Sequence, residues 1–186
     1  MSFIAELWIP IVASTVLIFV ASSIIHMVIK WHYTDYRAFS NEDAMRATVR
    51  AANPTPGQYV IPYCTDMKDL QKPEMQQKFI EGPIAFVTVR PSGPPKMGGA
   101  LGMWFAFILA VCLITAYVAS RTIPEGASAL HVARLVGALS FLAYGAGSIQ
   151  MGIWMGKPWP VVMKDLIDAV IHAAIAGAIF GWLWPR

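Results

Sequence analysis

The chain is 186 residues long, with 56% hydrophobic and only 13% charged residues, where a soluble domain carries about 25% charged. Fourteen Lys and Arg against eleven Asp and Glu leave a net charge of +3, and mean hydropathy is +0.54. These values exclude an intrinsically disordered chain, a disulfide scaffold and a nucleic-acid-binding module, and they point to a chain that uses lipid as part of its solvent.

Residues 4–29 form the first apolar run, interrupted only by Glu6, Pro10, several hydroxyls and His26. A hydrocarbon core of about 30 Å needs about 20 apolar helical residues, so this run is long enough to cross. It does not read as a cleaved signal peptide. Residues 1–8 carry no Lys or Arg, and apolar residues continue past Ala21, Ser22 and Ser23.

Residues 31–96 read as one polar insert. Residues 30–96 hold nine of the fourteen basic and seven of the eleven acidic residues. Ser40 followed by Asp43 predicts an N-cap for a helix over 44–52, which Asn53-Pro54-Thr55-Pro56-Gly57 stops. Residues 58–63 and 84–89 are rich in β-branched and aromatic types and predict a pair of short strands. Between them, Pro73 suits the first position of a helix ending at Gly82-Pro83. A lone two-stranded unit is marginal in water, so this α+β cap is expected to lean on the membrane or on a partner. The Pro/Gly-rich residues 91–95 read as a stiff connector into the next span.

Residues 97–120, 130–154 and 161–184 are three further apolar runs, the last with Lys164, Asp165 and Asp168 in its first turns. Lipid offers no partner for backbone N–H and C=O groups, so each is expected to be helical. The predicted fold is an all-α, four-transmembrane-helix bundle: a first span over 1–30, the extramembrane insert over 31–96, and three spans within 97–186. Pro10 and Pro160 are placed at helix starts, where proline is tolerated.

Basic residues set the orientation. Lys30, Arg37, Arg90, Lys96, Lys157 and Lys164 fall on the side of the insert, and Arg121, Arg134 and Arg186 on the other. The positive-inside rule puts the insert in the cytoplasm and both termini in the periplasm of a bacterial inner membrane. Trp8, Trp31, Trp154, Trp159, Trp182 and Trp184 cluster at span ends, as interfacial indoles do. Trp104 falls inside its span and is expected to pack against a neighbour or lipid. Cys64 and Cys112 are too few and too differently placed for a disulfide or zinc framework.

Small residues recur at four-residue spacing: Gly98, Gly102, Ala106 and Ala110 in the second span, and Ala173, Gly177 and Gly181 in the fourth. Such faces let helix backbones approach closely, and they predict bundle packing or contact with another subunit.

Polar residues at membrane depth are costly and tend to face the bundle interior. Antiparallel spans bring Ser22, Ser23, His26, Gln150, Asp168 and His172 to one level in the cytoplasmic half, with Trp31, His32 and Tyr33 just beneath. Asp168 and His172 are four apart, on one helix face. Three readings stand side by side. The cluster is a set of interhelical hydrogen bonds, with Asp168 paired to His172; or His26 and His172 are axial ligands of a haem, or one of them ligates a chlorin magnesium; or a buried Asp–His pair serves as a proton or quinone site.

No Walker, Gly-x-Ser-x-Gly, His-Glu-x-x-His or Cys-x-x-Cys motif is present, and no metal-ligand motif is expected. Four segments carry a likeness: Trp8-Ile9-Pro10, Ser22-Ser23-Ile24-Ile25-His26-Met27, Gly156-Lys157-Pro158-Trp159, and Phe180-Gly181-Trp182-Leu183-Trp184-Pro185-Arg186. Through them the chain resembles a family of small multi-pass bacterial inner-membrane proteins with no established activity. The resemblance implies a multi-pass membrane protein and transfers no functional residue. The expected role is a non-catalytic accessory or assembly subunit of a larger, energy-converting membrane complex, in contact with lipid and other subunits. The alternatives are an electron- or proton-transfer protein using His26 and His172, or a small channel or transporter.

Overall fold

The computed structural model describes residues 3–185. The elements run α1 (Phe3–Ser23), a π-helical turn (Ile24–Ile29), a 3-10 turn (Trp31–Asp35), α2 (Glu42–Ala51), β1 (Gly57–Ile61), a second 3-10 turn (Met67–Gln71), α3 (Pro73–Glu81), β2 (Ala85–Val89), α4 (Met97–Thr122), α5 (Ala129–Met155) and α6 (Trp159–Trp182). Three helical stretches are long and apolar enough to cross a membrane: Phe3–Ile29, Met97–Thr122 and Ala129–Met155. The expected fourth, α6, is not among them. Its early turns carry Lys164, Asp165 and Asp168, leaving residues 169–182 as the uncharged run. At 1.5 Å per residue that run spans only about 21 Å.

The chain divides into two units, one made of the residues up to Tyr36 and from Lys96 onward, the other of Arg37–Pro95. Trp31–Asp35, read above as the start of the insert, thus belongs with the long helices.

In the helical unit the core draws on every long helix. Leu7, Ile11 and Ile18 of α1 pack with Ile108, Cys112 and Ala116 of α4, Val132 and Val136 of α5, and Ala176 and Phe180 of α6. Pro10 lies inside α1, since the helix already begins at Phe3; proline there removes a donor from the ladder. The tightest packing joins α5 and α6. A Cβ added at Gly177 would lie 2.9 Å from the Ala133 carbonyl oxygen, and one at Gly181 would lie 2.6 Å from that of Ala129. Glycine is required there because no side chain fits between the backbones. The second expected small-residue face behaves differently. Gly98 and Gly102 have no atom within 4 Å of an added Cβ, and Ala106 is exposed, so this stripe of α4 makes no close helix contact among the described residues.

In the unit Arg37–Pro95, β1 and β2 pair antiparallel, with Tyr59 opposite Val87 and Ile61 opposite Ala85. Pro73 occupies the start of α3. The N-cap of α2 is Asn41 and not Ser40: its side-chain oxygen accepts from the Ala44 N–H at 3.0 Å. None of residues 37–95 is fully buried.

Candidate functional site

The site begins where α1 ends. An α-helix advances 1.5 Å and 100° per residue, so residues six apart lie about 9 Å apart along the axis and point in different directions. Here the helix widens into the π-helical turn Ile24–Ile29, and Lys30 adopts a left-handed conformation with φ 59°. The chain then folds back through the 3-10 turn, which stacks His26 on His32 with ring centroids 4.6 Å apart and planes 5° from parallel. Insertions of this kind in a helix recur at functional sites.

Both rings turn towards α6. His32 Nε2 lies 2.9 Å from Asp168 Oδ2, and His26 Nε2 lies 4.0 Å from the same oxygen. The other edge of each ring is also held. His26 Nδ1 donates to the Ser22 carbonyl at 3.0 Å, and His32 Nδ1 donates to Asp35 Oδ2 at 2.6 Å. Asp35 is in turn held by Lys164, whose ammonium donates to Asp35 Oδ1 at 2.5 Å, to Thr34 Oγ1 at 2.7 Å and to the Trp31 carbonyl at 2.8 Å. Burial by itself would raise the Asp35 carboxyl, but Lys164 and His32 outweigh it and hold it below the usual carboxylate value.

A cavity of about 760 Å³ lies between α1, α4, α5 and α6. Ser22, Ser23, His26, Asp168 and His172 line it, together with the aromatic rings of Tyr33, Trp104 and Tyr144. Trp104 donates to Ser22 Oγ at 3.1 Å, and Ser23 Oγ donates to the Phe19 carbonyl at 2.8 Å. At another part of the wall, Lys157 and Ser148 both donate to Asp165 Oδ2.

Five of the six residues expected to converge therefore line one cavity. Gln150 does not: it is exposed and lies outside the lining. The expected Asp168–His172 pair also gives way. Asp168 engages His32, and both ring nitrogens of His172 are buried without a partner among the described residues. His172 instead packs edge-on against Tyr144, with centroids 5.0 Å apart. The Tyr144 hydroxyl and Asp168 Oδ1 are likewise buried without a partner among the described residues. Asp35, Lys164, Tyr144 and the Lys157–Asp165 pair join the site without having been singled out from the sequence, and His32, expected just beneath the cluster, contacts Asp168 directly.

Comparison with family models, curated proteins and solved structures finds no match to this chain. The resemblance drawn from the four quoted segments gains no support from them, and the functional reading rests on the geometry.

Proposed function

We propose that this chain is a four-span protein of the bacterial inner membrane that binds a quinone-class carrier in the cavity and serves electron or proton transfer. One observation carries the reading. Four buried polar atoms without partners, on Tyr144, Asp168 and His172, belong to residues lining a single cavity. A buried polar group left unpaired costs about 1–3 kcal/mol, so several around one space favour a ligand that pairs with them. The volume lies in the range of small-molecule sites, about 300–1,000 Å³. Aromatic walls suit a flat ring, and the Tyr144 hydroxyl and a His172 N–H suit its two carbonyl oxygens.

The charges of α6 support its being the fourth span. Lys164 is paired with Asp35, Asp165 with Lys157, and Asp168 with His32, so none faces lipid uncompensated. The basic residues on the insert side favour a cytoplasmic insert and periplasmic termini.

The test is calorimetric titration of the detergent-purified protein with decylubiquinone. Saturable one-site binding is expected, weakened at least about tenfold by His172→Leu or Tyr144→Phe, the loss of about one hydrogen-bond partner (1.4 kcal/mol). Equal binding by wild type and both variants contradicts the reading.

A second reading, an accessory subunit of a larger complex, is favoured by the open stripe Gly98, Gly102 and Ala106 on α4. A partner helix seated there would be released by Gly102→Leu. Gentle purification that yields a lone chain would remove this reading.

A further inference from the structure

We propose that His26, His32 and Asp168 are the protein ligands of one divalent first-row transition-metal ion. Each offers one ligand atom, and the three atoms lie within 4.8 Å of one another.

The tautomers follow from the partners. A carbonyl oxygen only accepts, so the Ser22 contact places the His26 proton on Nδ1 and leaves a lone pair on Nε2. His32 stands between two carboxylates: Nδ1–H donates to Asp35, and Nε2 faces Asp168 at 2.9 Å, where either a second proton or a metal ion makes the contact favourable. With the Nε2 of His32 deprotonated, the two nitrogens and the Asp168 carboxylate present three Lewis bases to one space. A single proton relieves the 2.9 Å contact of His32 with Asp168 but does nothing for His26, 4.0 Å away. A cation serves all three.

The outer contacts match those of metal-bound histidines, whose second N–H is nearly always donated to a carboxylate or a backbone carbonyl. Asp35 is the former and the Ser22 carbonyl the latter. A metal about 2.1 Å from each ligand requires the ligand atoms to stand about 3.0–3.4 Å apart. The His32–Asp168 separation already meets this within a few tenths of an ångström. His26 Nε2 stands 4.0 Å from Asp168 Oδ2 and its ring is stacked on His32, so this half-exposed side chain must rotate out of the stack to aim its in-plane lone pair at the shared ion.

Two imidazoles and one carboxylate favour iron(II) or zinc and disfavour magnesium and calcium, which take oxygen ligands. Three protein ligands leave at least one coordination position open, as in catalytic sites and unlike closed structural ones. His26 and Asp168 line the cavity, so the open position lies within reach of what binds there.

The assignment does not depend on the quinone reading, and the experiments separate the two. The metal-free protein, prepared with a chelator, is titrated with Co²⁺ and followed by its d–d absorption. One equivalent is expected to bind saturably, and elemental analysis of protein purified without chelator is expected to find iron or zinc at about one per chain. His32→Ala and Asp168→Ala are expected to abolish uptake. Asp35→Asn, which leaves all three ligands in place, is expected to weaken it by about 10–100-fold, with Asp35→Glu restoring part of the loss. His172→Leu is expected to bind Co²⁺ as wild type does, even though it loses the quinone. A folded wild-type protein that takes up no Co²⁺, or one whose uptake is unchanged in Asp35→Asn and His32→Ala alike, overturns the assignment. Metal uptake in a protein that ignores decylubiquinone overturns only the quinone reading.

Discussion

Helices α4 and α6 carry the same four-residue repeat of small side chains, yet the two stripes do opposite things. Gly177 and Gly181 of α6 press against the backbone of α5 at Ala133 and Ala129, with no room for a methyl group. Gly98 and Gly102 of α4 look onto open space. A repeat of small residues permits close approach but does not supply it; a neighbouring helix must present a backbone free of bulk at the same level. Helix α5 does so for α6 through Ala129, Ala133 and Gly137. Helix α4 instead meets α1 through larger groups, such as Trp104 donating to Ser22 and Ile108 in the core.

This difference orders the mutational outcomes. Gly181→Val forces a branched side chain into backbone and is expected to cost at least about 3 kcal/mol, or to prevent folding. Gly181→Ala, a smaller intrusion at the same place, is expected to cost about 1–3 kcal/mol in thermal unfolding of the detergent-solubilised protein. Ser22→Ala leaves the Trp104 N–H without its acceptor, and a loss of about 1–2 kcal/mol is expected. Gly102→Ala is expected to reverse the sign, stabilising the chain by about 0.5–1 kcal/mol, because alanine is the better helix former where nothing is crowded. A destabilisation by Gly102→Ala as large as that by Gly181→Ala would show that α4 does have a close partner.

The elements that were legible from the sequence share one property: a local signal strong enough to stand without tertiary help. Lipid-length apolar runs marked all four long helices to within a few residues, three of them long and apolar enough to cross a membrane. Pro73 with Gly82 bracketed α3, and the β-branched residues marked β1 and β2. The site was half legible. Membrane-depth polarity pointed to Ser22, Ser23, His26, Asp168 and His172, which share the cavity.

What decides the chemistry was not legible. The left-handed Lys30 has no sequence mark, since a non-glycine residue with positive φ is held by its surroundings. Without that turn, His32 is only a polar residue beyond the span. Asp35 and Lys164, 129 positions apart, look like ordinary surface charges until the fold joins them. The i,i+4 spacing of Asp168 and His172 suggested a pair, but His32 holds the carboxylate at 2.9 Å and neither His172 nitrogen reaches it. Gln150 was placed by depth alone, and depth does not say which way a helix face turns.

The central claim is that Asp168 is engaged by His32 from the turn after α1, leaving His172 free for a ligand. A pair of double-mutant cycles in thermal stability tests it most directly, using alanine at His32 and Asp168 in one and at Asp168 and His172 in the other. A coupling of at least about 1 kcal/mol is expected between His32 and Asp168, with Asp168 and His172 additive to within about 0.5 kcal/mol. Coupling confined to Asp168 and His172, with His32 additive, would contradict it.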